Sequence, residues 1–123
     1  MLEVAALLCV VIGGIHSYLG ERFILIRLLR SDNVPHLFGS DYFPKRTLRF
    51  AWHITTIAWV GFGYILLAIS KGDENITQTV LNTIGTVFLV SGIFSFGFTK
   101  GKHLSWLVFW VIAAICFYVG SGG

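Results

Sequence analysis

Four apolar stretches, separated by segments that hold nearly every charge, limit this chain to one kind of architecture. They run roughly over 4–19, 50–70, 80–98 and 104–119. Crossing about 30 Å of hydrocarbon at 1.5 Å per residue takes about 20 residues. The middle two stretches are long enough alone. The first and last, at about 16 residues each, must borrow a turn from their flanks. With those flanks the predicted spans are about 4–23, 47–70, 77–99 and 103–120. Hydrophobic residues make up 55% of the chain, charged ones 12%, and the mean hydropathy is +0.78. A water-soluble domain of 123 residues cannot hide so much apolar surface. The expected fold is a single all-α integral membrane domain over 1–123, an antiparallel bundle of four transmembrane helices.

The first stretch is read as a retained helix. It has no basic n-region, its one early charge is Glu3, and no small-x-small cleavage site follows. Leu8 before Cys9 also departs from the small residue a lipobox needs.

Basic residues set the expected orientation. Arg22, Arg27, Arg30, Lys45, Arg46 and Arg49 lie between the first two spans, and Lys100 and Lys102 follow the third. On the other side stands Lys71 alone, outweighed by Asp73 and Glu74. Both termini are therefore expected outside and both basic segments in the cytoplasm. The net charge of +3 then reflects topology and anionic headgroups. A nucleic-acid partner is excluded, since it requires a basic, aromatic-bearing soluble surface.

Along the chain, 21–30 mixes arginines with Phe23, Ile24, Ile26, Leu28 and Leu29, which extends the first helix past the span. The segment 31–42, with Pro35 and Gly39, reads as loop, and Pro44 suits the first turn of the next helix. Short turns over 71–75 and 99–102 make helices two, three and four antiparallel neighbours. No internal repeat of 20–50 residues appears.

Imidazoles are rare in hydrocarbon, yet His16, His53 and His103 fall near the cytoplasmic ends of three separate spans. On the first helix Cys9, Gly13, His16 and Gly20 share a face, and the glycines make it the packed one. Arg49, His53, Thr56 and Val60 share a face of the second, and His103, Trp106 and Trp110 one of the fourth. If helices one, two and four meet, the three imidazoles overlap in depth. One reading is a transition-metal site built from His16, His53 and His103 with Glu21 or water. Haem b, needing two axial ligands, is served by His16 with His53 or His103. Glu21 lies about 140° round the helix from His16, so it joins only if the helix end distorts; otherwise it pairs with Arg49. The other reading is a polar cluster, with Arg49 and Thr56, that holds helices together. No ligand motif such as His-Glu-x-x-His is present, and membrane di-iron enzymes need many more histidines. His36, in the inner loop, is expected to be solvated.

Cys9 and Cys116 lie near the outer ends of helices one and four and lack C-x-x-C spacing. They read as two inert thiols, with a disulfide as the alternative if those helices touch. The third span carries Thr77, Thr79, Asn82, Thr83 and Thr86, then Ser91, Gly92, Ser95 and Gly97. Such residues mark close helix packing or, alternatively, the wall of a small-molecule path. No acid lies in any of the four apolar stretches after Glu3, which argues against proton coupling. Asn75-Ile76-Thr77 is a glycosylation sequon by letter only. Tyr18, Trp52, Trp106 and Tyr118 take the positions of headgroup anchors.

The run His16-Ser17-Tyr18-Leu19-Gly20-Glu21-Arg22, followed by Arg49-Phe50-Ala51-Trp52-His53, resembles small four-span bacterial inner-membrane proteins of unassigned function. That resemblance implies a multi-pass inner-membrane setting and the four-span fold, with no chemistry attached. Three functions are carried forward. The first is a packing, accessory or small-ligand-binding membrane protein with a cytoplasm-proximal His/Arg/Glu cluster, in the lipid bilayer as a homo-oligomer or part of a larger complex. The second is a haem or metal protein for electron transfer or metal handling. The third is a minimal oligomeric transporter or channel. An enzymatic role is disfavoured, because no nucleophile–base pair or phosphate loop is present.

Overall fold

The computed structural model describes residues 1–123, and all its regular elements are helices. Helix α1 (Leu2–Leu19) runs into a π-helical turn (Gly20–Leu25) and then α2 (Ile26–Arg30), giving one rod over Leu2–Arg30. Helices α3 (Tyr42–Ser70), α4 (Ile76–Thr99) and α5 (Ser105–Gly120) follow. The rod, α3 and α4 are each long and apolar enough to cross a membrane. Helix α5 is apolar but has 16 residues, about 24 Å at 1.5 Å per residue.

Facing residues fix the register. Gly63 meets Ala6 and Cys9, Gly13 meets Thr56, and Glu21 meets Arg49, so α3 runs antiparallel to α1. Gly61 faces Thr83 and Val87, Gly85 faces Phe117, and Ser95 faces Ser105, so direction reverses at each step through α5. Bulky side chains seat on glycines at these crossings. A Cβ on Gly92 would strike the Trp110 indole, and one on Gly85 would come within 2.8 Å of the Phe117 ring. The aromatic rings thus fill grooves that only a missing side chain leaves open.

The helices form an open row. The rod packs on α3, α3 on α4 and α4 on α5, and α1 is not packed against α5. One conditional expectation changes with this. A bundle in which helices one, two and four meet is not formed, because α3 and α4 stand between the outer two. Cys9 and Cys116, on those separated helices, are the free thiols expected of them, and the disulfide alternative falls. Only 16 residues are buried, so most of the apolar content faces outward on both sides of the row.

One end of the row holds the loop between α2 and α3, the α4–α5 turn, and eight of the nine basic side chains. This is the basic end of the row. In the loop, Phe38 (φ +56°) and Gly39 (φ +84°) form a tight turn closed by Leu37 and Ser40. Two consecutive left-handed residues suit glycine and strain a phenylalanine, whose ring is 81% exposed. Helix α3 begins at Tyr42, two residues before Pro44, whose missing N–H lies in the turn where no helical partner exists.

At the opposite end, Asp73 closes the α3–α4 turn by accepting from the Thr79 hydroxyl at 2.5 Å and the Asn75 N–H at 2.9 Å. These bonds, the Thr79 one foremost, hold the Asp73 carboxyl below the usual aspartate value. A depressed folded-state value contributes stability above the usual value and loses it as pH falls through the lower one. Thr79→Val is therefore expected to raise the Asp73 titration towards the ordinary aspartate range. A carboxyl-carbon NMR titration reads this; an unmoved midpoint would show that the hydroxyl is not what holds the group.

Candidate functional site

One group of polar side chains gathers where α1 and the π turn cross α3, and another, Ser95, Thr99, His103 and Ser105, at the α4–α5 turn. Gly13, Ser17 and Glu21 succeed one another at intervals of four, which keeps them on one helical face. Arg49, His53 and Thr56 do the same on α3 at intervals of four and three. The two faces meet. Arg49 grips Glu21 with both arms of its fork, Nε donating to Oε2 at 3.2 Å and Nη2 to Oε1. His53 Nε2 lies 3.1 Å from the same Oε2, and its Nδ1 lies 3.0 Å from Ser17 Oγ. Ser17 Oγ is 2.6 Å from Thr56 Oγ1, which in turn lies 3.2 Å from the Gly13 carbonyl.

The π turn starts at Gly20, immediately before Glu21. Its wider winding lets the carboxylate stand against α3, and such turns recur at functional sites. Gly20 has a second role, since a Cβ there would collide with the Trp52 indole. Trp52 lies flat against α1 and donates its Nε1–H to the His16 carbonyl at 3.1 Å.

Counting protons along this chain shows what it can do. A carboxylate gripped bidentately by Arg49 only accepts, so His53 Nε2 carries a hydrogen and donates it to Glu21. When Nδ1 is bare, Ser17 donates to it and Thr56 donates to Ser17. When Nδ1 carries a proton the order reverses: Nδ1 donates to Ser17, Ser17 to Thr56, and Thr56 to the Gly13 carbonyl. Only the second arrangement satisfies every short contact. The network therefore admits two hydrogen-bond orders through Ser17 and Thr56, while Glu21 and Arg49 stay fixed. His53 is 18% exposed and the two ion-pair partners 29% each, so the pair is partly shielded.

His16 and His103 lie elsewhere. The His16 ring stacks on Trp52 (centroids 4.6 Å apart, planes within 1°) and leans on Trp59 at 4.9 Å. Its Nε2 is buried without a hydrogen-bond partner. His103 sits before α5, where Nδ1 accepts from the Ser105 N–H at 3.3 Å and lies 2.8 Å from Ser105 Oγ. Phe43 and Phe50 of α3 pack on its ring. No group of three His, Cys, Asp or Glu side chains comes close enough to hold a metal ion. The set His16, His53, His103 and Glu21 is thus not drawn into one shell, since α3 separates His103 from α1. His36 lies exposed in the loop.

No protein family, curated protein or solved structure matches the chain. The site therefore has to be read from its own geometry.

Three residues at or beside the network carry no ligand signal in the sequence. Ser17 links His53 to Thr56 and is signalled only by its place between Gly13 and Glu21 at intervals of four. Trp52 and Trp59 enclose His16, although Trp52 alone reads as a headgroup anchor. A groove of about 490 Å³ lies between α3 and α4, lined by Val60, Tyr64, Thr79, Asn82, Thr83 and Thr86 among others. Ser91 is not part of it; its hydroxyl turns back to the Val87 carbonyl at 2.7 Å.

Proposed function

We propose that this chain is a four-span inner-membrane protein with both termini outside, acting as a packing or accessory subunit that assembles through its uncovered helix faces. The basic end supports the orientation, since cytoplasmic segments collect Lys and Arg. Helix α5 crosses by borrowing residues from its flanking turns, helped by local thinning of the bilayer. The resemblance of 16–22 and 49–53 to small bacterial proteins supports the inner-membrane setting. Under this reading the Glu21–Arg49–His53 network fastens the rod to α3 and performs no reaction.

The observation that carries the assembly reading is the outward face of α4. Asn82, Thr86, Leu89, Ile93 and Phe96 are exposed there, at intervals of four, three, four and three. This is the 3.5-residue period of a helix–helix seam. All copies of a membrane protein insert the same way, so a two-fold pair has its axis along the membrane normal and runs α4 parallel to its mate. Each Asn82 then meets its counterpart, and a carboxamide both donates and accepts.

In a background with Cys9 and Cys116 replaced by Ala, Leu89→Cys is expected to give disulfide-linked dimers in native membranes. Val108→Cys, on the exposed face of α5, is expected to give few. Equal yields at the two positions, or none at Leu89, would remove the seam. Asn82→Cys and Thr86→Cys separate the transporter reading, which requires aqueous thiol reagents to reach both along the α3–α4 groove.

The haem or metal reading gains one observation, the unpartnered Nε2 of His16. It does not gain a shell. Both His53 nitrogens are engaged, and His103 stands across α3. The residues of one chain therefore do not fit a shared group. Purified protein is expected to be colourless and metal-free, with thermal stability unchanged by chelator; a Soret band or stoichiometric metal would reverse this conclusion.

A further inference from the structure

At the basic end a cleft of about 270 Å³ opens between the close of α2 and the first turns of α3, lined by Leu29, Asp41, Tyr42, Lys45, Arg46 and Arg49. Two of its cations are already neutralised. Lys45 pairs with Asp41, and Arg49 with Glu21. Arg46 has no carboxylate partner, and neither has Lys100, which lies on the α4–α5 turn beside Tyr42 at the edge of the cleft. Both of these converge on one ring. The Arg46 guanidinium carbon lies 5.3 Å from the Tyr42 centroid and the Lys100 ammonium 5.6 Å from it. The ring's negative face attracts each cation, yet neither has an ion-pair partner to offset its charge. Like charges brought together from separate elements, beside an open cleft, are the counterpart of an anion.

We infer that this cleft is a binding site for a phosphate ester. The Arg46 fork matches two phosphate oxygens, and Lys100 adds a point charge. The Tyr42 hydroxyl makes no hydrogen bond within the chain and is free to donate a third. Leu29 offers an apolar wall for the ester carbons. The same chemistry serves an anionic lipid headgroup and a soluble phosphate ester. The headgroup alternative rests on the reading that the basic end lies at a bilayer surface.

The test uses the full chain, first in a neutral detergent and then in nanodiscs. Native mass spectrometry follows retention of phosphatidylglycerol against phosphatidylcholine, and thermal shift follows added inorganic phosphate at constant ionic strength. Arg46→Ala and Lys100→Ala are each expected to weaken phosphatidylglycerol retention at least tenfold. Arg27→Ala removes the same charge from an exposed position outside the cleft and is expected to leave it unchanged. Stabilisation by inorganic phosphate that is lost in the same two variants identifies a phosphate site open to soluble esters. Retention of phosphatidylglycerol with no response to phosphate identifies a headgroup site.

The inference is overturned if neither probe binds, or if Arg27→Ala weakens binding as much as the cleft variants do. Lys100 is an exposed turn residue, so its variant keeps the test valid should Arg46→Ala fail to fold. Sidedness is measured separately, by labelling a cysteine placed at Ser40. A basic end found outside would refute the proposed topology while leaving the detergent binding result intact.

Discussion

Replacing Glu21 by alanine is expected to destabilise the folded protein by about 2 kcal/mol. Breaking a fully buried ion pair costs about 3–5 kcal/mol, because the surviving charge is left without a partner. The Glu21–Arg49 pair is roughly a third exposed, so solvent and headgroups recover part of that. Arg49→Ala is expected to cost nearly as much, since it strands the carboxylate that His53 shares. The double replacement removes both charges together and is expected to cost little more than either alone, a coupling of about 1–2 kcal/mol. Steric-trap unfolding in bicelles measures all three. Additive losses would show that the two groups do not act as a pair. His53→Ala takes two hydrogen bonds from the network, those to Glu21 and Ser17, without breaking the ion pair, and is expected to cost about 1–2 kcal/mol.

Gly20→Ala is expected to be comparably damaging, by about 1–3 kcal/mol, although it adds a single methyl group. That methyl collides with the Trp52 indole, the plate on which His16 stacks and the donor to the His16 carbonyl. Trp52 cannot yield without opening the α1–α3 crossing beside Glu21. The variant should therefore show red-shifted tryptophan emission and a weaker Glu21–Arg49 coupling. Gly14→Ala is the internal control, as its Cβ would meet nothing within 4 Å and alanine is the better helix former. If both substitutions behave alike, the close seat of Trp52 is not what positions the network.

Helix placement was the most legible part of this chain, because hydrocarbon length and charge distribution are one-dimensional properties. The rod past Leu19 was legible from arginines interleaved with apolar residues. Helix order round the bundle was not, since apolar residues cover all of α5 and most of α1 and nothing in the letters says which faces touch. That gap produced the three-histidine site: depth was readable, but lateral position was not, and α3 keeps His103 away from α1. Glu21 was legible in part. Ideal helix geometry sets it about 140° from His16, and the pairing with Arg49 expected in that case is formed; the contact with His53 was not foreseen. The interval-of-four series Gly13, Ser17, Glu21 held the information. Pairing it with Arg49, His53 and Thr56 required the antiparallel register, which the glycine contacts supply.

The central claim is that His53 belongs to a closed inter-helix network and donates to Glu21. Nitrogen-15 solid-state NMR of ring-labelled protein in bilayers tests it most directly. The account predicts a protonated Nε2 on His53 that responds to Glu21→Gln and is indifferent to zinc or chelator. A bare Nε2, or one whose resonance moves with added or withdrawn metal, would contradict it.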